Sequence, residues 1–310
     1  MMISLNGVWQ NFPSFPNGET AYKIDMSIVK RDFNEVMWKY ESDVDFMHLA
    51  NLVQAIRDNT TRMDGEAGAW NTLHILNMPY ARMDRGGKGK PNSLHLAVLY
   101  LSVLFNEFVV YEPHSSATLE EFNSRGVKVR SVGVTELLLK DCIDSLPTNS
   151  NLVLVYPDAG ACERYRHLRN YNALGTLELT CIKTRDFATG AIESLTFDQS
   201  DGRVAYGTIA EVLQNGEGVT FLIVDDLSSY GGTFVRVADL ICKEFWQYYN
   251  FGGRFDIELV VAHAEDSIFK GKLLNSIDKV WTTDSMLTFN LNPTKVDVKS
   301  IIEIAEKEGR

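Results

Sequence analysis

The chain has 310 residues, of which 45% are hydrophobic and 23% charged, and its formal net charge is −11. That length accommodates two domains of about 150 residues each. The acidic balance argues against a general nucleic-acid or anionic-membrane surface, because both demand a basic patch. The four cysteines, Cys142, Cys162, Cys181 and Cys242, are widely spaced and form no C-x-x-C pair. They read as reduced thiols, not as a disulfide framework or a zinc site. The first residues lack a basic stretch followed by an apolar core, so no signal peptide is expected. The most apolar helical run, Leu94 to Phe105, is too short for the roughly 20 residues a bilayer span needs. A cytoplasmic protein is expected.

Strand-like and helix-like runs alternate along the chain. In order, they read as a helix at Asp45–Asp58, a strand at Thr72–Met78, a helix at Ser93–Asn106 and a strand at Phe108–Tyr111. A helix at Thr135–Ser145, a strand at Leu152–Tyr156, a helix at Ala161–Asn170 and a strand at Leu177–Ile182 follow. The last third reads as a strand at Phe221–Val224, a helix at Thr233–Tyr248, a strand at Ile257–Ala262 and a helix at Phe269–Leu274. It closes with a strand at Val280–Thr282 and a helix at Val298–Glu308. Such alternation predicts α/β architecture with mainly parallel sheets flanked by helices. Met78 to Arg82 and Tyr156 to Gly160 each follow a strand with related residues. Two related domains, 1–132 and 133–310, would explain this slight repeat, and the last helix is a candidate to pack on the first domain. Gly86 to Pro91 and Ala188 to Asp201, rich in Gly and polar residues, read as mobile loops.

The most informative segment runs from Val219 to Thr233. An apolar strand ends in paired acids, Asp225 and Asp226, and then Leu227, Ser228, Ser229, Tyr230, Gly231, Gly232 and Thr233 lead into a helix-like run. In an open α/β sheet, ligands bind beyond the carboxyl ends of strands. Gly231 and Gly232 can turn backbone N–H groups toward a phosphate, and a helix N-terminus adds partial positive charge. The acids can hold ribose hydroxyls or a magnesium ion, which prefers oxygen ligands. The bland alternative is a strand–turn–helix connection in which the acids merely cap a helix.

Five further segments carry weaker signals. Val153 to Ala161, continuing to Arg164, places Asp158 just past a strand, with Gly160 allowing close backbone approach; an ordinary turn uses the same residues. Met78 to Arg85 sets Arg82, Asp84 and Arg85 after a strand, where arginine's planar fork suits phosphate or a base, or makes a surface ion pair. Glu112 and His114 end another strand and can hold magnesium or touch phosphate, although isolated histidines more often serve packing. Lys183 and Arg185 alternate on a strand, so both can reach one phosphoryl group, or form a solvated edge. Phe15, Pro16, Asn17, Gly18 and Glu19 form a turn with an aromatic suited to an adenine.

Taken together and in this order, the six segments resemble the ribose-phosphate diphosphokinases. That family carries F-x-D-G-E, Y-A-R-Q-D-R, D-x-H, P-D-x-G-G, K-x-R and D-D-x-x-D-T-x-G-T motifs. The present chain departs at Asn17, Met83, Glu112 and Ala161, and Ser229-Tyr230 stands where the family has Asp-Thr. The resemblance implies two type I phosphoribosyltransferase-like domains and transfer of the β,γ-diphosphoryl group of ATP to the anomeric hydroxyl of ribose 5-phosphate, with magnesium. It implies catalysis by Lys183 and Arg185, and ATP contacts from Phe15, Asn17, Glu19, Arg82, Met83, Asp84 and His114. It implies acceptor contacts from Asp225, Asp226, Ser228, Ser229, Tyr230, Gly231, Gly232 and Thr233, and metal contacts from Glu112, His114 and Asp158. Because the family's F-x-D-G-E turn reaches across from a neighbouring subunit, a homo-oligomer, a dimer or a hexamer, is implied. Tyr230 motivates a variant reading in which the acceptor is a 5′-substituted ribose such as ADP-ribose. A phosphoribosyltransferase and a non-catalytic regulatory relative are the remaining alternatives.

Overall fold

The computed structural model describes residues 2–61, 63, 65, 68–147, 151–171, 177–185 and 192–308, with side chains 169–171, 184–185, 192–193 and 199–204 excepted. The chain folds as two compact units, Met1–Gly133 with Ile301–Arg310, and Val134–Ser300. Among the described residues, no helix is long and apolar enough to cross a membrane. The four cysteines are unpaired thiols.

The first unit is built on a sheet of β1 (Met2–Leu5), β2 (Val8–Trp9), β3 (Phe33–Lys39), β4 (Trp70–Asn77), β5 (Glu107–Tyr111) and β6 (Lys128–Val132). The order is β2-β1-β3-β4-β5-β6. From β3 to β6 the strands are parallel, and β1 runs antiparallel to β2 and β3. Helices α1 (Val44–Asn59), α2 (Ser93–Ser102) and α3 (Ser116–Asn123) connect the parallel strands. Asn92 caps α2, its side chain accepting the His95 N–H at 2.9 Å. Ile3, Trp38, Leu49, Leu52, Ile75 and Phe108 form a core shielded from water.

The second unit contains α4 (Val134–Ser145), β7 (Asn151–Tyr156), α5 (Ala159–Tyr165), β8 (Leu177–Arg185), β9 (Ile192–Phe197) and α6 (Gln199–Gln214). It continues with β10 (Gly218–Ser228), α7 (Gly232–Phe245), β11 (Arg254–Ala264), α8 (Leu273–Ser276), β12 (Lys279–Thr283) and β13 (Val296–Lys299). The sheet order is β13-β12-β11-β10-β7-β8-β9. All neighbours are parallel except β8 and β9, which form an antiparallel hairpin. A near-continuous apolar run, Val219 to Val224, is what a central parallel strand covered on both faces requires, and every one of those residues is buried. Helix α7 turns Phe234, Val237, Ala238, Ile241 and Phe245 onto that sheet, the three- and four-residue spacing of one helix face. The C-terminal helix α9 (Ile301–Glu308) belongs to the first unit, where its Ala305 carbonyl accepts the Tyr111 hydroxyl at 3.5 Å.

Several expected boundaries move for physical reasons. Strand β10 runs past Val224 through both acids to Ser228, because pairing with β11 continues to Ser228↔Ala264. Helix α2 ends at Ser102 instead of Asn106, and the Leu104 and Phe105 N–H groups turn back onto the Leu101 carbonyl. Asp158 starts α5 two residues early by capping it, and Arg166–Tyr171 tightens into a 3₁₀ turn. Likewise α7 gives way to a 3₁₀ turn at Trp246–Phe251, closed by left-handed Gly252. The Phe269–Leu274 helix is replaced by a 3₁₀ turn at Asp266–Phe269 and by α8. Between them Gly271 lies so close to Tyr230 that a Cβ would meet its carbonyl oxygen at 2.8 Å. The expected final helix is split into β13 and α9. Of the Ala188–Asp201 loop, Ile192–Phe197 is β9 and α6 begins at Gln199; 188–191 lie outside the described residues. The slight repeat has no counterpart in strand order, which runs in sequence from β3 to β6 but reverses between β7 and β10.

Candidate active site

That reversal makes β7 and β10 the topological switch point of the second sheet, the place where open α/β sheets bind ligands at strand carboxyl ends. Asp158 follows β7, and Asp225 and Asp226 lie near the end of β10. Oδ1 of Asp158 caps α5 by accepting the Ala161 N–H at 3.0 Å, and Oδ2 accepts from Lys183 Nζ at 2.7 Å. The lysine side chain is 9% exposed, and the aspartate is 42% exposed. Burial opposes ionisation of Asp158, but the hydrogen bonds from Lys183 and Ala161 and the nearby cations hold its carboxyl below the usual range.

Lys183 sits on the β8–β9 hairpin opposite Leu195, and Arg185 pairs with Ile192 across a register shift between Thr184 and Arg185. The register shift leaves one residue of β9 unpaired, while Lys183, Thr184 and Arg185 run consecutively on β8. The side chain of Arg185 lies outside the described residues.

Around the paired acids the structure gives a place to Arg164, which ends the Asp158 segment but to which the sequence assigns no role. Nη1 of Arg164, on α5, is 2.7 Å from Oδ1 of Asp226 and 3.3 Å from Oδ1 of Asp225. Oδ1 of Asp225 also accepts the Asp226 N–H at 3.0 Å. Burial, and then the charge of Asp226, push the Asp225 carboxyl well above its ordinary range. Burial works to lower the Arg164 guanidinium, yet the Asp226 carboxylate, followed by Tyr165 and Asp225, outweighs it and raises it further.

The loop beyond is a shaped turn. Gly231 adopts φ 73°, the left-handed region, and a Cβ there would lie 2.7 Å from Leu273 Cδ1. Only glycine combines that backbone with that closeness. Gly232 and Thr233 open α7, so their N–H groups stand at a helix N-terminus. Ser228 is buried at the strand end, and the Ser229 hydroxyl donates to Glu265 Oε1 at 2.6 Å. Glu265, just past β11, also accepts from Ser267 at 3.2 Å. Tyr230 is 60% exposed.

In the first unit, two of the sequence segments come together. Ser115 donates to Oδ2 of Asp84 at 3.1 Å, joining the turn after β4 to the end of β5. Glu112, buried, takes a left-handed backbone with φ 48°, and His114 is half-buried beside it. The turn carrying Arg82 and Met83, both exposed, is anchored by Tyr80, whose hydroxyl donates to Asp43 alongside that of Tyr40. The Phe15–Glu19 turn is closed by its own bonds: Phe15 N–H to Glu19 O at 2.7 Å, and Glu19 N–H to Asn17 Oδ1 at 3.1 Å. Phe15 is exposed at its tip.

Among the described residues, no three His, Cys, Asp or Glu side chains converge as a metal cage. At the acid pair, the position a bridging cation would take is held by Arg164. Those residues do not fit a second, resident magnesium ion.

The chain folds as two units, each a mainly parallel sheet flanked by helices. No family model matches the chain. The ribose-phosphate pyrophosphokinase of Thermococcus kodakarensis is 24% identical over 294 residues, which is 93% of this chain and 87% of that protein. That of Pyrococcus abyssi is 26% identical over 233 residues, or 75% of this chain and 69% of its own. The crystal structure of phosphoribosylpyrophosphate synthetase from Mycobacterium smegmatis superposes with a TM-score of 0.65 at 19% identity, covering 97% of this chain and 91% of that one. Over most of its length this chain is similar to the ribose-phosphate pyrophosphokinases, the family its motifs resemble.

Proposed function

We propose that the protein is a diphosphokinase that moves the β,γ-diphosphoryl group of ATP to the anomeric hydroxyl of a ribose phosphate, releasing AMP. The observation that carries this reading is the joint presence, at one switch point, of the Lys183–Asp158 pair and the Asp225–Asp226 loop. The relatives' name and their coverage of most of the chain support it.

Phosphoryl transfer depends on positioning and on stabilising charge as it develops. Asp225 and Asp226 orient the acceptor hydroxyls, so that the anomeric oxygen is presented for attack at the β-phosphorus. The N–H groups of Gly231, Gly232 and Thr233, with Ser228 and Ser229, cradle the acceptor's phosphate. Lys183 leaves Asp158 for the transferred group, and Arg185 joins it, countering negative charge there. Phe15, Asn17, Glu19, Arg82, Met83, Asp84 and His114 are the proposed nucleotide contacts. Magnesium enters as part of the ATP substrate, and Glu112, His114 and Asp158 are its proposed contacts. The protein is proposed to work as a homo-oligomer in the cytoplasm. Incubation with ATP, magnesium and ribose 5-phosphate should yield AMP, and acceptor-dependent ADP would overturn the reading.

A second reading concerns the acceptor alone. Tyr230 is exposed at the mouth of the loop, and Ser229 is engaged by a carboxylate. Both features favour a longer 5′ substituent, such as the rest of ADP-ribose, over a terminal phosphate dianion.

A further inference from the structure

Asp225 and Asp226 lie together beneath a loop shaped for an anion. Two neighbouring carboxylates there would repel a phosphorylated ligand, and a divalent cation bridging them is one remedy. Here the bridging position belongs to protein. A single nitrogen, Nη1 of Arg164, lies 2.7 Å from one Oδ1 and 3.3 Å from the other. Its placement is built into the fold. Arg164 rides on α5, whose start is fixed by the Asp158 cap, and Asp158 is in turn held by Lys183. The guanidinium also sits 5.4 Å from the centre of the Tyr165 ring, a cation–π contact. The Asp226 side chain is only 5% exposed, so its partner is not exchanged freely with solvent. Arginine remains charged at any working pH.

We infer that Arg164 is the resident cation of the acceptor site, standing where a second metal ion would otherwise bridge the acids. The acid pair then holds the acceptor's hydroxyls directly, and acceptor binding by itself needs no magnesium. This rests on the reading of the acid pair as a sugar-phosphate site. It separates two magnesium dependences: turnover keeps one, through MgATP, while acceptor affinity has none.

The test is calorimetric binding of ribose 5-phosphate and of ADP-ribose to the intact protein without ATP, in EDTA and in magnesium. Wild type should bind its acceptor with the same affinity in both. Arg164→Gln should lose about tenfold or more in EDTA, the scale of a hydrogen bond between charged groups, and recover part of it in magnesium. Arg164→Lys, which keeps the charge, should stay independent of magnesium. A wild-type affinity that rises about tenfold with magnesium, or wild-type binding by Arg164→Gln in EDTA, overturns the proposal. A second measurement needs no acceptor. Magnesium alone should raise the melting temperature of Arg164→Gln more than that of wild type, and adding Asp226→Asn should abolish the excess. Equal stabilisation of wild type and Arg164→Gln also overturns it. If neither acceptor binds wild type, the sugar-phosphate reading fails, and the melting experiment still decides the role of Arg164.

Discussion

Lys183 reaches across from β8 to the aspartate that follows β7, placing its ammonium 2.7 Å from Oδ2 of Asp158. A helix cap and a strand of the β8–β9 hairpin are thereby tied through one carboxylate. If the lysine turns to the transferring group during the reaction, its loss removes one preorganised charge from a developing anion. Lys183→Ala should lower kcat by about a hundredfold, roughly 3 kcal/mol, with little change in acceptor KM. Near wild-type turnover would leave the lysine with only its ion pair.

The same pair has a signature in acid. The folded-state carboxyl of Asp158 is held below its unfolded value, with Lys183 as the leading stabilising influence against burial. Its contribution to stability is therefore complete above the unfolded value of about 3.9, and it disappears as pH falls through the lowered folded value. The difference in urea midpoint between wild type and Lys183→Met should be constant above that window and shrink within it. A difference that persists unchanged into strong acid would show that the pair contributes no ionic stability.

Asp225 and Asp226 are adjacent, yet their substitutions should act in opposite directions. Burial and its neighbour's charge push the Asp225 carboxyl upward, so ionising it at neutral pH works against folding. The sign follows: stability falls as pH rises from the unfolded carboxyl value toward the raised folded one. Asp225→Asn should raise the melting temperature of the ligand-free protein at neutral pH while weakening acceptor binding. Asp226→Asn removes the nearer partner of Arg164 and should lower it. Melting curves of both variants at neutral and acidic pH check the pair, and equal shifts in one direction would refute the assignment.

Gly231 offers a structural test of the loop. An alanine there must accept a left-handed backbone, and its Cβ would lie within 3 Å of Leu273 atoms. Gly231→Ala should destabilise by about 1–3 kcal/mol, combining backbone strain with overpacking. Adding Leu273→Gly should return the part due to crowding but leave the conformational part. Measured additivity of the two changes would mean that they do not touch.

The strand-end loop was legible because several local signals agree there: an apolar run, two acids, two glycines and a helix-like period. Its partners were less so. Arg164 sits six residues beyond Asp158 in a segment that reads as a polar helix face, and its acids are about sixty residues further on. Only the sheet order, which returns β10 to the side of β7, brings them together. Glu265 is hidden for the same reason. In the first unit β3 escaped notice because its buried positions include Asn34, whose side chain bonds Asn6 and Lys30 instead of packing as an apolar group. Edge strand β6 carries Lys128 and Arg130 and too few apolar residues to stand out. Helix α6 did leave a signal, with Ala205, Ile209 and Leu213 recurring every four residues, but the polar stretch before it drew its start into a loop.

The most consequential substitution relative to the family pattern is Tyr230. Its carbonyl lies close against Gly271 while the residue as a whole is 60% exposed. One residue earlier, the Ser229 hydroxyl is directed to Glu265 at 2.6 Å. A phosphate dianion entering here meets a hydroxyl already donating to a carboxylate, and no compact donor at position 230. A longer 5′ substituent places a diester at that point and can lay a base on the ring, where stacking contributes roughly 1–3 kcal/mol. Tyr230→Thr should therefore lower kcat/KM for ADP-ribose by about tenfold or more and raise it for ribose 5-phosphate. Glu265→Gln should shift the balance the same way by removing the charge behind Ser229. Steady-state AMP formation with each acceptor, for wild type and both variants, measures the ratio directly. A wild-type preference for ribose 5-phosphate that neither substitution alters would assign the ring no part in acceptor choice.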